Sequence, residues 1–248
     1  MQPEWESAPN ELHLGIDETH IWRITIEEKS FNLQSLTQLL SADEISRANR
    51  FRFQKDRAQF IIARGMLRTI LSRYLNVQPV SLSFGYGAQG KPYLIDENGE
   101  PHNLRFNLSH SEEIVLYAIM RGQEVGVDVE RIRPEFATET IAEKFFSPSE
   151  VKSLRRLAPA LQPEAFFNCW TRKEAFLKAR AAGLTYPLDQ FAVSLLPGEP
   201  PGLLSLADDS QEISRWSFFH LTPKPGYIGT LVVSGHCAQL RHFSIQTQ

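Results

Sequence analysis

Four charged residues stand at spacings that would let them act on one substrate. Asp128 and Glu130 alternate with valines in the segment VGVDVE. If this segment is a β-strand, both carboxylates point to one face, about 6–7 Å apart, and the valines point to the other face. Glu174 lies in the segment WTRKEAFLK, and Lys178 follows it four residues later. On a helix, these two side chains are neighbours on one face.

Three carboxylates that converge would form a site of hard oxygen ligands. Such a site has too few ligands for a closed Ca²⁺ cage, but it suits Mg²⁺ completed by water and phosphate oxygens. No pair of His or Cys residues has zinc spacing. Simpler explanations also exist: a half-solvated strand for Asp128 and Glu130, and a surface ion pair for Glu174 with Lys178. The second explanation is weakened because the helix is rich in aromatic residues, which indicates that it is buried.

The segment FNLSHSEE, residues 106–113, places Ser109, His110 and Ser111 between two predicted strands. These side chains could form a polar nest that binds an anion. A serine beside a histidine also suggests nucleophilic catalysis, but the sequence has no G-x-S-x-G motif and no obvious acid to orient the histidine. The remaining alternative is a solvated turn.

The segment GYGAQGKPYL contains a G-x-G-x-x-G pattern at Gly85, Gly87 and Gly90. In a dinucleotide-binding fold, these glycines end a strand and open a helix. Here the strand VSLSF (80–84) is followed by Lys91 and a proline, then by an apolar run and an Asn-Gly turn. This order predicts a β-hairpin and excludes a Rossmann unit at this place.

Composition excludes several classes of protein. The chain has 248 residues, of which 42% are hydrophobic and 22% charged, with a formal net charge of −3. These values are ordinary for a globular protein and give no sign of nucleic-acid or membrane binding. The N-terminal segment has no basic region followed by an apolar run, so no signal peptide is predicted and a cytoplasmic location is expected. Two cysteines, Cys169 and Cys237, fit neither a disulfide framework nor a metal site.

The elements that must position these residues occur in a repeated order. In the first part, a strand (20–26) precedes a capping box at SADE (41–44), a helix (56–75) and three strands. In the second part, the strand VGVDVERI precedes a capping box at SPSE (147–150), a helix (163–183) that stops at Gly183, and three more strands.

This repetition predicts an α+β fold, a pseudo-dimer of two similar halves, each with a small antiparallel sheet packed on a long helix. The boundary is expected near Gly122, which gives an N-terminal half at 1–122 and a C-terminal half at 123–248. A cleft between two such halves is the expected active site.

Five segments in this order resemble the Sfp-type 4′-phosphopantetheinyl transferases. They are GKP (90–92), FNLSHS (106–111), VGVDVE (125–130), FFSPSE (145–150) and WTRKEAFLKARAAGL (170–184). The segment LLSADEISRANRFRF is similar to cyanobacterial members. The resemblance covers roughly residues 40 to 195 and implies two α+β halves with coenzyme A bound between them.

The resemblance also implies the reaction and the roles of its residues. A serine of an acyl or peptidyl carrier protein domain attacks the β-phosphate of coenzyme A, takes up the phosphopantetheine arm, and 3′,5′-ADP leaves. By similarity, Asp128, Glu130 and Glu174 hold Mg²⁺, or Mn²⁺ in its place, against the pyrophosphate. Glu174 is the implied general base, directly or through a water, and Lys178 stabilises negative charge on the phosphates.

The same resemblance implies contacts to the 3′-phosphoadenosine end of coenzyme A from Lys91, Ser109 and His110. The resemblance also implies phosphate contacts for Arg47, Lys55 and Arg64, for which exposed helix faces are the alternative. A basic cluster of Lys152, Arg155 and Arg156 could guide an acidic carrier domain, or could simply be a solvated helix face. We expect a monomer.

Two rival functions use the same residues. A Mg²⁺-dependent hydrolase of coenzyme A or another pyrophosphate would need no protein acceptor. A non-catalytic module that binds coenzyme A or carrier domains would be expected to lack a metal carboxylate or Lys178, and this sequence has all four residues.

Overall fold

Groups of strands and groups of helices follow one another along the chain in the computed structural model, which describes residues 4–27, 30–181, 186–206 and 211–245. The helices are α1 (Leu33–Thr37), α2 (Ala42–Ala48), α3 (Gln54–Leu75), α4 (Glu139–Phe145), α5 (Pro148–Arg155) and α6 (Gln162–Arg180). The strands are β1 (Glu6–Ser7), β2 (Glu18–Thr25), β3 (Ser83–Tyr86), β4 (Pro92–Ile95), β5 (Leu104–Ser111), β6 (Ile114–Arg121), β7 (Val125–Arg131), β8 (Phe191–Val193), β9 (Leu203–Leu206), β10 (Trp216–Leu221), β11 (Tyr227–Ser234) and β12 (Gln239–Ile245). The predicted α+β class is confirmed.

The first half is a five-stranded sheet covered by α3. The strand order is β1-β12-β2-β6-β5, with β2, β6 and β5 antiparallel to their neighbours in that group. Apolar residues of α3 recur at helical spacing and pack against Trp22 and Phe106 of the sheet. The helix ends at Asn76, whose φ of 53° is left-handed and terminates the helical hydrogen bonding.

The second half repeats this plan with fewer strands. Its sheet has the order β10-β11-β7 and is antiparallel throughout. The helix α6 packs on this sheet and buries the aromatic side chains of Phe166, Phe167 and Phe176. The helix α5 begins with the predicted capping box, in which the Ser147 backbone N–H donates to Glu150 Oε2 at 2.7 Å.

The glycine of VGVDVE sets the distance between α6 and β7. A Cβ atom at Gly126 would lie closer than 3 Å to the carbonyl oxygen of Ala175 and to the amide nitrogen of Ala179. Only a residue without a side chain therefore lets the helix backbone lie directly on the strand. This contact fixes which turn of α6 faces the carboxylates of β7.

A third hydrophobic core joins the two halves. The side chains of Val125, Val127 and Val129 pack against residues of β6, among them Leu116 and Met120, on the sheet face opposite α3. These valines are 0% exposed. Burial of this extent stabilises the arrangement of the halves through the hydrophobic effect.

Three features differ from the sequence-based expectations. β12 pairs in parallel with β2, so residues 239–245 complete the sheet of the first half although they follow the expected boundary at Gly122. This pairing makes the first sheet mixed rather than purely antiparallel. The segment expected to be a strand at 80–84 instead begins with a 3₁₀ turn, and β3 pairs with β4 in the predicted hairpin.

The helix expected to stop at Gly183 ends at Arg180, with Ala181 in the left-handed region at φ 52°. Gly183 itself lies outside the described residues. In the described ranges, no helix combines the length and the apolar character needed to cross a membrane.

Replacing Gly126 with alanine is expected to lower the free energy of unfolding by about 3 kcal/mol or more, because the methyl group would force α6 away from β7. The midpoint of urea unfolding measures this change. Gly202→Ala is the matched control, since a Cβ at Gly202 has nothing within 4 Å, and it should change the free energy by less than about 0.5 kcal/mol. Similar shifts for the two variants would contradict the close contact.

Candidate active site

Asp128 and Glu130 point away from the valines of β7, as the alternation predicted. The valines enter the core between the halves, and the opposite face of the strand lies under α6, as the backbone contact at Gly126 shows. Asp128 is 4% exposed, whereas Glu130 is partly exposed near the end of the strand. The simpler explanation, a strand with one solvent-exposed face, therefore does not apply to Asp128.

The helix α6 places a cation directly on the buried carboxylate. Lys178 Nζ lies 2.6 Å from Asp128 Oδ1 and also donates to Ser109 Oγ at 2.9 Å and to the Val127 carbonyl at 3.3 Å. The simpler explanation of Lys178, a surface ion pair with Glu174, therefore does not describe the structure. Lys178 instead joins α6 to β7 and β5.

Two serines of β5, which belongs to the first half, hold the carboxylates of β7 in place. Ser109 Oγ donates to Asp128 Oδ1 at 2.7 Å, and Ser111 Oγ donates to Glu130 Oε2 at 2.7 Å. Asn107 Oδ1 accepts the backbone N–H of Val127 at 2.9 Å. Side chains thus join β5 to β7. Asn107 lies in the segment FNLSHS, but no role was predicted for it, because that role depends on β5 and β7 being adjacent.

The predicted residues of both halves line one cavity of about 500 Å³, here called the acidic cavity. Its lining consists of Leu108, Ser109, His110, Asp128, Glu130, Trp170, Glu174 and Lys178. Trp170 was not among the predicted site residues. Its position at the start of WTRKEAFLK, one turn before Glu174, is the signal that could have identified it as a lining residue.

Gathering three carboxylates in this cavity has an electrostatic cost. The pKa of Glu174 is raised by burial first and then by the charge of Asp128, while Lys178 acts in the opposite direction. The pKa of Glu130 is also raised by burial and by Asp128, against the hydrogen bond from Ser111. A bound cation would relieve this repulsion.

The donor set fits a divalent cation, although it is not a closed ligand cage. Asp128 Oδ2 is a buried oxygen with no hydrogen-bond partner, and buried polar atoms rarely remain unsatisfied. Across the residues that the structure describes, no three His, Cys, Asp or Glu side chains lie close enough to hold an ion by themselves. The carboxylates therefore share the cavity, and any ion would take its other ligands from water and substrate.

A second cavity of about 330 Å³, here called the arginine cavity, adjoins the first at Leu108 and His110. Arg47 and Arg64 line it together with Tyr86 and Phe60. Its other lining residues are Phe51, Asp56, Gln59, Ala63, Gly90 and Pro92.

Two of the predicted cations in the first half have different positions from those expected of phosphate ligands. Arg64 is 7% exposed, forms an ion pair with Glu44 and donates to the Tyr86 hydroxyl at 3.0 Å. Lys55 is exposed near the start of α3 and lines neither cavity. Arg47 is exposed and lines the arginine cavity.

His110 lies where the two cavities meet, and its pKa is lowered by desolvation and by the charge of Lys178. The neutral imidazole can donate one hydrogen bond to an anion and accept another. Lys91, predicted beside it, points elsewhere: its ammonium donates to Glu124, Val125 and Ala179 in the second half.

The basic cluster on α5 is partly neutralised. Arg155 forms ion pairs with Glu139 and Glu143 of α4, and Lys152 and Arg156 are exposed. Only these two cations of the cluster thus remain as candidates for guiding an acidic partner.

Comparisons with known proteins identify the family. Two family models match adjacent ranges: "4'-phosphopantetheinyl transferase, N-terminal" at residues 22–121, and "4'-phosphopantetheinyl transferase superfamily" at residues 124–233. The "4'-phosphopantetheinyl transferase HetI" of Nostoc sp. is 39% identical over 235 residues, which cover 95% of each chain. The chain belongs to the 4′-phosphopantetheinyl transferase superfamily. The resemblance deduced from its sequence motifs is confirmed.

More distant relatives match part of the transferase. The "4'-phosphopantetheinyl transferase Sfp" of Bacillus subtilis is 30% identical over 63% of this chain and 66% of its own. Among solved structures, the holo-acyl-carrier-protein synthase of Thermotoga maritima overlaps with a TM-score of 0.34 at 22% identity, over 46% of this chain and 63% of that chain. The Chronobacterium ammoniagenes ACPS–CoA complex overlaps with a TM-score of 0.33 at 21% identity, over 46% of this chain and 97% of that chain.

The raised pKa of Glu174 predicts that this residue lowers the stability of the metal-free transferase. The folded state binds the proton of Glu174 more tightly than the unfolded state, so stability is lost as the pH rises above 4.5, the ordinary pKa of the group. Glu174→Gln is therefore expected to raise the free energy of unfolding at pH 7 in EDTA. The gain should shrink as the pH falls toward 4.5.

Urea unfolding in EDTA across this pH range measures the effect. Glu164→Gln is the control, since Glu164 is exposed in the first turn of the same helix, where a carboxylate is favourable. It should bring no gain in stability. A Glu174→Gln protein less stable than the parent at pH 7 would show that the attraction of Lys178 outweighs burial and repulsion.

Proposed function

We propose that this transferase moves the 4′-phosphopantetheine arm of coenzyme A to a serine hydroxyl of an acyl or peptidyl carrier protein domain, releasing 3′,5′-ADP. Membership of the superfamily supports the reaction, as does the 95% coverage of the Nostoc relative. The observation that carries the assignment to this site is the meeting of Asp128, Glu130, Glu174 and Lys178 in one cavity. That cavity continues into one lined by Arg47 and Arg64.

We propose Mg²⁺ as the metal, with Mn²⁺ as a substitute, bound at the carboxylates of Asp128, Glu130 and Glu174 and completed by water and substrate oxygens, since among the described residues these three side chains do not hold an ion by themselves. The unsatisfied Asp128 Oδ2 and the raised pKa of the two glutamates support this set. When bound, such an ion neutralises charge on the phosphoryl groups of the substrate. Ser109 and Ser111 keep the Asp128 and Glu130 carboxylates in place by donating hydrogen bonds to them.

Glu174 is proposed as the general base. Its carboxylate lines the acidic cavity, where the substrate would react. Burial and the charge of Asp128 raise its pKa in the metal-free protein, but a carboxylate that ligates a metal ion is a weaker base, which favours proton transfer through a water. Glu174 accepts the proton of the carrier serine hydroxyl, directly or through a water, as the oxygen attacks the β-phosphorus. The bond from that phosphorus to the bridging oxygen then breaks, and 3′,5′-ADP carries away the electron pair.

Lys178 is proposed to stabilise negative charge on the phosphates. Its side chain is 28% exposed and lines the acidic cavity, so a phosphate oxygen can approach the ammonium. Ser109 and His110 border the same cavity, and Arg47 and Arg64 line the adjoining arginine cavity. Ser109, His110 and Arg47 are proposed to bind the 3′-phosphoadenosine end, whereas Arg64, paired with Glu44, forms part of the cavity wall.

A single chain is enough for this site. His110 comes from the first half and Glu174 from the second, and both line one cavity. We therefore propose that the transferase acts as a monomer. We also propose a cytoplasmic location, because both cysteines, Cys169 and Cys237, are free and buried, as expected in a reducing compartment.

The transfer reaction is tested by incubating the protein with coenzyme A, Mg²⁺ and an apo carrier domain, and weighing the carrier by mass spectrometry. A gain of one phosphopantetheine that is abolished by EDTA is the expected result. Free phosphopantetheine beside an unmodified carrier would instead assign a hydrolase. Binding of coenzyme A with neither product would assign a non-catalytic module.

Glu174→Gln is expected to lower kcat/KM about 10²–10⁴-fold, since it removes the general base while keeping the shape of the side chain. Initial rates of carrier modification measure the loss. Glu164→Gln, an exposed change on the same helix, should leave the rate unchanged. A rate reduced less than about tenfold by Glu174→Gln would remove Glu174 from the proposed role.

A further inference from the structure

The hairpin formed by β3 and β4 is attached to the second half through one lysine. Lys91, at the start of the returning strand, donates from Nζ to Glu124 Oε2 at 2.9 Å, to the Val125 carbonyl at 3.0 Å and to the Ala179 carbonyl at 3.3 Å. An ammonium group has three hydrogens, so each of them has an acceptor in the second half. The Lys91 side chain is 15% exposed.

The third acceptor belongs to the helix that carries the active-site residues. Ala179 is the second-last residue of α6, so its carbonyl is one of the last four, which have no partner within the helix. A cation at this end also interacts favourably with the helix dipole. Lys91 therefore caps, from the first half, the helix that holds Glu174 and Lys178.

Glu124 anchors this contact at the junction of the halves. Its Oε2 binds Lys91, and its Oε1 lies 3.4 Å from Nε of Arg105 on β5. Glu124 follows the turn at Gly122, whose φ of 69° is left-handed. One carboxylate thus binds two cations of the first half immediately before β7 begins.

The hydrogens of the Lys91 ammonium are directed to acceptors of the second half and not into the acidic or the arginine cavity, neither of which Lys91 lines. Lys91 borders two smaller spaces, one of about 200 Å³ beside the hairpin and one of about 280 Å³ that Glu174 and Lys178 also line. Lys178 also has three acceptors, but it lines the acidic cavity and is more exposed. The neighbours of Lys91, Gly90 and Pro92, do line the arginine cavity.

We propose that Lys91 is a positioning residue. By holding the hairpin against Glu124 and the end of α6, it keeps the wall of the arginine cavity at a fixed distance from Glu174 and Lys178. This role differs from the direct contact with coenzyme A that the sequence resemblance implies. It rests on the proposed function only for its kinetic consequence.

The two roles predict opposite effects at Glu124. If Lys91 positions the hairpin, loss of the Glu124 charge weakens the attachment and impairs coenzyme A binding, although a carboxylate is itself unfavourable near phosphate. If Lys91 instead contacts a phosphate of coenzyme A, the Glu124 carboxylate competes with that phosphate for the ammonium. Removing the carboxylate then leaves the affinity for coenzyme A unchanged or raises it.

The test uses Lys91→Met, Glu124→Gln and the double variant, with the exposed Lys144→Met as the control. Two measurements are made: kcat and the coenzyme A KM in carrier modification, and backbone hydrogen exchange of residues 84–94 without coenzyme A. The second measurement does not depend on transferase activity, so it separates a failure of this inference from a failure of the proposed function.

Lys91→Met is expected to raise the coenzyme A KM about tenfold with kcat changed less than about threefold, and Glu124→Gln to raise KM about threefold. Both should speed hydrogen exchange in the hairpin, and the double variant should resemble Lys91→Met because the two residues share one contact. Lys144→Met should change neither quantity. Unchanged hairpin exchange in Lys91→Met, or a KM in Glu124→Gln equal to or below that of the parent, would overturn the inference.

Discussion

The contact among Lys178, Asp128 and Ser109 holds the active site and the two halves together. One ammonium group lies 2.6 Å from the carboxylate and 2.9 Å from the serine hydroxyl, and that hydroxyl donates to the same carboxylate. The three residues come from α6, β7 and β5, so a shift of any one of these elements would break the contact among them. Charge-assisted hydrogen bonds of this kind are short and strong when they are shielded from water.

Hydrophobic packing makes this contact possible. The first core fixes α3 on its sheet, the second fixes α6 on β10 and β11, and the third packs the valines of β7 against β6. Because β7 contributes valines to one core and carboxylates to the other face, burial of the valines fixes the direction of the carboxylates. The absence of a side chain at Gly126 then lets α6 lie against this carboxylate face.

The site also shows why a catalytic cavity need not favour folding. Burial and mutual repulsion raise the pKa of Glu130 and Glu174, so the ionised forms are less stable here than in water. The arrangement is maintained by the cores around it and by the hydroxyl groups of Ser109 and Ser111. A site that is costly when empty gains most from a cation and a phosphate, which is the chemistry proposed for it.

Local patterns were sufficient to predict the main elements around the site and its four charged residues, Asp128, Glu130, Glu174 and Lys178. The alternation of VGVDVE, the two capping boxes and the helical spacing of Glu174 and Lys178 each depend on a few neighbouring residues, so the sequence alone carries them. The hairpin was predicted for the same reason, since its turn residues lie within one short segment.

Tertiary structure decided what these local rules cannot contain. The return of β12 to the first sheet joins residues more than 200 positions apart, and nothing in the strand itself specifies its partner. The acceptors of Lys91 lie 33, 34 and 88 positions away, and Asn107 acquires its role only because β5 lies beside β7. The sequence thus determined which side chains face one side of each element. Which elements pack against each other was decided by the burial of whole apolar faces. The free energy of that burial is contributed by residues far apart in the sequence, so no short segment contains it.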